Sequence, residues 1–264
     1  MNKELLYSPQ NPVVRLYSEL HERKRSRQRE GLLAVEGIQE IQYALMGAYV
    51  PKYLLLRGDQ SVEEVFPEFP LSGDVRRLKE ELFDTLAVRG SASSALAIME
   101  QKPKPELYKG VYDKVLVLEQ VEKPGNLGAL FRTALATGCD LVLTTGASTD
   151  FYNPNCIRSS VGTVFRVPHA HLESEQAKEF LNDQGLSIWT SRLDGSSSLF
   201  EAQLTDRSAF VFGGEHAGLS KDWTGAGMQA LRIPMAKEMD SLNLSASAAV
   251  VLYEHLRQQS PPSS

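Results

Sequence analysis

Residues 115–138 read Val115-Leu-Val-Leu-Glu-Gln-Val-Glu-Lys-Pro-Gly-Asn-Leu-Gly-Ala-Leu-Phe-Arg-Thr-Ala-Leu-Ala-Thr-Gly138. An apolar run of strand length, a Pro-Gly break and a helix follow one another here. Leu127, Leu130, Phe131, Ala134 and Leu135 recur at helical spacing, and Gly138 supplies the stop. Asn126 is expected to cap that helix. Leu141–Thr144, Leu186–Trp189 and Ala209–Phe212 are three more short apolar runs separated by helical stretches. Continuous apolar strands alternating with helices predict a parallel sheet covered on both faces, an α/β domain.

Toward the N-terminus, Gln101–Gly110 is rich in Pro and Lys and poor in apolar residues, so it reads as a boundary. Residues 1–105 then form a small α/β unit of their own, 106–112 a linker, 113–258 the larger α/β domain and 259–264 a disordered tail. The small unit is expected to hold a helix over about 11–27, a strand at 32–35, a helix at 37–46 and a strand at 53–56. No internal repeat is present.

The 264 residues, 42% of them apolar, are enough for two cores of ordinary size. No segment approaches the ~20 apolar residues that span a bilayer, and no leader-length apolar run stands at the N-terminus. A soluble cytoplasmic protein is expected. Cys139 and Cys156 make neither a disulfide framework nor a CxxC pair. His169 and His171 share a strand face but are too few to bind a metal, so none is expected. The nucleotide loops GxxxxGK[ST] and GxGxxG and the hydrolase GxSxG are absent from the sequence.

A net charge of −5 argues against a nucleic-acid partner until it is divided along the chain. Residues 1–105 carry 15 basic and 15 acidic side chains, whereas 106–264 carry 13 and 18. Within the neutral part, Arg23, Lys24, Arg25, Arg27 and Arg29 crowd together as a candidate phosphate-binding patch, although a solvated helix face fits the same run.

Three segments combine glycines and polar groups at the ends of apolar runs. In the first, Arg132 lies off the apolar stripe, roughly 135° from its centre at 100° per residue. A helix start and an arginine together suit a phosphate, and a solvated arginine on a capped helix fits the same residues. The second, Phe212-Gly-Gly-Glu-His-Ala-Gly-Leu-Ser220, sets three glycines and a carboxylate after a strand, where glycine lets a ligand approach the backbone. The third, Leu231 to Val250, runs from a strand through a polar loop into a helix of small residues. Asn243 and Ser245 suit helix caps there.

In this order and spacing the segments resemble the three signature motifs of the SpoU/TrmH family of RNA ribose methyltransferases, within the SPOUT class. The matching stretches are Pro-Gly-Asn-Leu-Gly-x-x-x-Arg-Thr-Ala at 124–134, Gly-x-Glu-x-x-Gly-Leu-Ser at 213–220, and Ile-Pro-Met through Ser-Leu-Asn-Leu-Ser at 233–245. Residues 1–105 are similar, less tightly, to the ribosomal-protein-like domain that many members use to bind substrate RNA, best at Leu33–Gly37. The resemblance implies a deep trefoil knot, a homodimer, S-adenosylmethionine as cofactor and a ribosomal or transfer RNA as substrate. It implies that Gly213, Gly214, Ile233, Leu242 and Leu244 line the cofactor pocket and that Asn126, Arg132, Glu215 and Asn243 are catalytic. Either Arg132 or Glu215 takes the proton. Lys123 and His216 depart from the usual pattern without removing a catalytic group. Two other readings compete: a non-enzymatic RNA-binding protein of this fold, and a SPOUT methyltransferase acting on a base nitrogen.

Overall fold

Asn11 and Pro12 open the first helix. The Asn11 side chain accepts from the Val13 amide at 2.9 Å, and Pro12 takes a position whose N–H has no helical partner. This helix, α1 (Pro12–Glu22), turns Val14, Tyr17 and Leu20 inward on one face. The computed structural model describes residues 5–69, 73–88, 93–103, 105–195, 197–214, 217–236 and 241–259. The chain divides into two units, 1–103 with 150–166 and 104–149 with 167–264.

In the first unit, β1 (Leu5–Leu6), β2 (Leu32–Glu36), β3 (Pro51–Arg57), β4 (Asp74–Leu78) and β5 (Ala95–Glu100) form one sheet in the order β1-β4-β3-β5-β2. β3 runs parallel to β4 and antiparallel to β5. The helices α2 (Lys24–Glu30), α3 (Ile38–Met46), α4 (Val62–Val65) and α5 (Glu80–Leu86) belong to the same unit. Leu82 and Phe83 of α5 join Tyr17 and Leu20 of α1 over Ala34, Leu55 and Ile98.

The single helix expected over 11–27 is two, because Arg23 is extended (φ −120°, ψ 114°). Arg27 explains the break. Its guanidinium donates to the carbonyls of Leu20 at 2.7 Å and His21 at 3.3 Å, groups at a helix end that lack helical partners. A continuous helix would carry residue 27 about 10 Å along the axis beyond residue 20. Arg27 also pairs with Asp150 at 2.8 Å.

In the second unit, β6 (Lys114–Glu119), β7 (Leu141–Thr145), β8 (His169–His171), β9 (Ser187–Ser191), β10 (Ser197–Ser198), β11 (Ser208–Phe212) and β12 (Met228–Arg232) order as β10-β12-β9-β11-β6-β7-β8. Every pairing is parallel, as the apolar runs predict. α6 (Pro124–Ala136) follows β6; α7 (Pro154–Ser159) belongs to the first unit, and α8 (Ser174–Asp183) and α9 (Leu244–Gln259) to the second. Phe180 and Leu181 of α8 share a core with Val115, Val117, Leu143 and Val211 on one face of the sheet, and α9 packs on α6 and on β11. β7 and β8 extend the sheet to one side of β6, whereas β9, β11 and β12 lie on the other. Such a reversal of strand order leaves a crevice at the strands' C-terminal ends, where ligands of open α/β sheets bind.

Three sequence expectations change here. The segment 106–112 is not a free linker, because Leu107 and Tyr112 enter the second unit's core and the Tyr112 ring stands edge-on to Phe180 at 5.6 Å. Residues 113–258 are not one continuous unit, because 150–166 packs with the first. Besides Arg27–Asp150, Tyr49 and Tyr152 share a hydroxyl hydrogen bond of 3.1 Å, and Phe165 meets Tyr49 edge-on at 4.9 Å. Gln259, placed in the disordered tail, ends α9 and donates to the Leu204 carbonyl at 3.0 Å; residues 260–264 lie outside the described residues.

Candidate active site

Pro124, with its fixed φ and no N–H, takes the first position of α6, so Lys123 becomes the cap and Asn126 the third helical residue. The capping role expected of Asn126 is therefore corrected. Gly138, at φ 70°, ends the helix as its sequence position predicts. Leu127, Leu130, Phe131 and Ala134 are buried and Arg132 is exposed. Arg132 stands six positions beyond Asn126, an axial rise of about 9 Å.

β11 delivers Gly213 and Gly214 at its C-terminal end. A Cβ on Gly213 would lie 2.1 Å from backbone of Gly218, and one on Gly214 would lie 2.5 Å from the Gln120 carbonyl oxygen. Glycine is needed at both because neighbouring backbone, rather than ligand alone, occupies the space a side chain would take. Glu215 and His216 lie outside the described residues.

β12 leads to Ile233, and α9 begins beside Asn243. The Asn243 Oδ1 accepts from the Ser245 amide at 2.9 Å and from the Ser245 hydroxyl at 2.6 Å, which is an N-cap. Its Nδ2 donates to Asn126 Oδ1 at 3.4 Å. The first and third motifs thus meet through two of the residues expected to be catalytic.

A cleft of about 600 Å³ opens at the C-terminal ends of β9, β11 and β12. Gly213, Gly214, Ile233, Leu242 and Leu244 all line it, with Asn243 and Lys123 at the same wall. Arg132 does not. Sequence reasoning missed Ser191, Arg192 and Leu193, which continue from β9 into the lining. Only the position of β9 beside the strand reversal would have pointed to them. Arg192 pairs with Asp194 through two bonds of 2.9 and 2.7 Å and holds that carboxyl below the usual carboxylate range.

In the first unit, Arg23, Lys24 and Arg25 are exposed. Arg29 is exposed but paired with Glu30 at 2.8 Å. Arg27, expected to bind RNA, is 2% exposed and fully engaged with Asp150 and the end of α1. Burial removes it from that surface.

The family model of the SpoU rRNA Methylase family matches residues 113–253. An uncharacterized tRNA/rRNA methyltransferase of Synechocystis is 29% identical over 96% of this chain and 93% of its own. The 23S rRNA (guanosine(2553)-2'-O)-methyltransferase RlmP of Bacillus subtilis is 25% identical over 95% of this chain and 98% of its own. Among solved structures, the AdoMet-bound rRNA methyltransferase from Sinorhizobium meliloti matches with a TM-score of 0.88 at 26% identity, covering 98% of this chain and 99% of that one.

Proposed function

The chain belongs to the SpoU rRNA methylase family, and we propose that it transfers a methyl group from S-adenosylmethionine to a ribose 2′-hydroxyl of a structured ribosomal or transfer RNA. The observation that carries this reading is the cleft. Five residues from the second and third motifs, chosen by motif alone, line one cavity at the C-terminal ends of the strands, and its volume of about 600 Å³ is that of a small-molecule site.

The lining fits the cofactor. Leu193, Phe212, Ile233 and Leu242 offer apolar surface for a purine, while Ser241, Asn243 and Ser247 offer polar groups. When bound, S-adenosylmethionine supplies an electrophilic methyl on a sulfonium. The chain's own task is to align a weakly acidic hydroxyl with it and remove the proton. Asn126 and Asn243, joined at the edge of the cleft, orient the ribose and the methionine end. Arg132, a permanent cation, holds the RNA phosphate and polarises the hydroxyl from the exposed side of α6. Glu215 accepts the proton or holds Arg132. The apolar wall excludes water, which favours dispersal of the sulfonium charge.

The homodimer and the knot belong to the same proposal. Exposed Tyr253 on α9, which packs on α6, supports a second copy covering this helix. Exposed Arg23, Lys24 and Arg25 support RNA docking on the first unit. The cytoplasm is the proposed compartment.

Incubating the full chain with tritiated S-adenosylmethionine and unmodified ribosomal and transfer RNA, then digesting to nucleosides, tests the reading. A 2′-O-methylnucleoside is expected. Label on a base nitrogen would move the enzyme to another SPOUT activity, and no incorporation alongside firm RNA binding would leave an RNA-binding protein.

A further inference from the structure

We infer that Glu119 is a positioning residue for the cofactor cleft, acting through Ser220; this rests on the methyltransferase reading above. Glu119 ends β6 and is 2% exposed. Both its carboxylate oxygens are engaged by one residue: the Ser220 amide donates to Oε2 at 2.7 Å and the Ser220 hydroxyl to Oε1 at 2.7 Å. Ser220 in turn caps the short turn Lys221–Trp223, whose Trp223 is fully buried. The far end of the second motif is therefore fixed to the end of β6.

The near end is fixed to the next residue. Gln120 has φ 54°, a left-handed conformation that a side chain rarely adopts, and its amide donates to the Thr145 carbonyl at 3.0 Å. Its own carbonyl leaves no room for a Cβ on Gly214. Two consecutive residues, Glu119 and Gln120, thus set both ends of the segment 213–220, and Gly213, Gly214, Ala217 and Gly218 of that segment line the cleft. A buried carboxylate is costly unless its oxygens are satisfied. Here both donors come from Ser220, two residues beyond Gly218 of the cleft lining, so the carboxylate ties the end of that lining segment to the end of β6.

The test compares wild type with Glu119→Gln, Glu119→Ala, Ser220→Ala and the Glu119→Ala/Ser220→Ala double variant in the full chain. Calorimetry gives the Kd for S-adenosylmethionine, and hydrogen exchange reports the Ser220 amide. Glu119→Ala is expected to weaken the cofactor at least tenfold and leave RNA affinity within twofold. Glu119→Gln keeps one acceptor and is expected to fall between it and wild type. The double variant should lose no more than Glu119→Ala, since both changes break one contact. Faster exchange at Ser220 is expected in Glu119→Gln even if Glu119→Ala fails to fold. Unchanged cofactor Kd in folded Glu119→Gln and Ser220→Ala, or additive losses, would overturn the inference while the functional reading stands. A wild-type chain that takes no S-adenosylmethionine would overturn both.

Discussion

Asn243 divides its amide between two helices: Oδ1 caps α9 through Ser245, and Nδ2 reaches Asn126 on α6. The division fixes the orientation of the amide, because only the oxygen can accept from the Ser245 N–H. Asn243→Asp keeps the cap and loses the donor, setting a second acceptor against Asn126. Turnover should fall at least tenfold while stability changes by less than about 1 kcal/mol. Asn243→Ala should lose turnover and also about 1 kcal/mol of stability as the cap goes. Steady-state kinetics beside urea melts separates the two; equal turnover in both variants and wild type would detach the pair from catalysis.

Arg132→Ala should cost mainly kcat, by roughly 10² or more, as when a positioned electrostatic group is removed. Cofactor Kd should hold, because Arg132 is not in the cleft lining, and stability should stay within about ±0.5 kcal/mol for an exposed residue. Lysine should not restore the rate, since an ammonium lacks the planar fork that grips a phosphate at two points. Near-normal turnover would reduce Arg132 to a solvated helix residue.

Arg27→Ala and Arg25→Ala should part company although two positions apart. Removing Arg27 strands Asp150 and the carbonyls of Leu20 and His21, a loss of about 3–5 kcal/mol when a buried pair is broken. Removing exposed Arg25 should leave the melt unchanged, weaken RNA binding across sequences and reduce its salt slope by about 1. Equal melting points for the two variants would contradict the buried role of Arg27.

Burial lowers the pKa of His255, despite the Thr205 carbonyl that its Nε2 contacts at 2.9 Å. With the folded value below the unfolded one, the unfolded state binds more protons in acid, so this contribution is fully present above about pH 6.5 and shrinks as pH falls below it. Urea midpoints between about pH 7 and 5 should fall in the wild type and fall less in His255→Gln. Parallel slopes would dismiss His255 as the source.

The second unit was legible because its strands are continuous apolar runs alternating with helical stretches, the pattern of a parallel sheet covered on both faces: Val115–Leu118 and Ala209–Phe212 fall within β6 and β11 as read. The residues that line the cleft were legible because three motifs keep fixed spacing. Arg27 was misread because a basic run shows charge, whereas burial depends on Asp150, 123 positions away. Asn126 was misplaced because two capping signals, Pro124 and Asn126, compete within three residues and the rigid φ of proline prevails. The reason given for Gly214 was incomplete, since nothing local reveals that the Gln120 carbonyl fills its missing side chain.

Because residues 150–166 lodge in the first unit, the chain passes between the units three times, and the two halves are interleaved rather than modular. A fragment beginning at residue 111 would carry Cys156, Ile157, Val164 and Phe165, all buried here, with their packing partners removed. Exchange of RNA-binding units between relatives is therefore a two-piece graft: any foreign first unit must arrive with its own version of 150–166, its counterparts of Arg27 and Asp150 included.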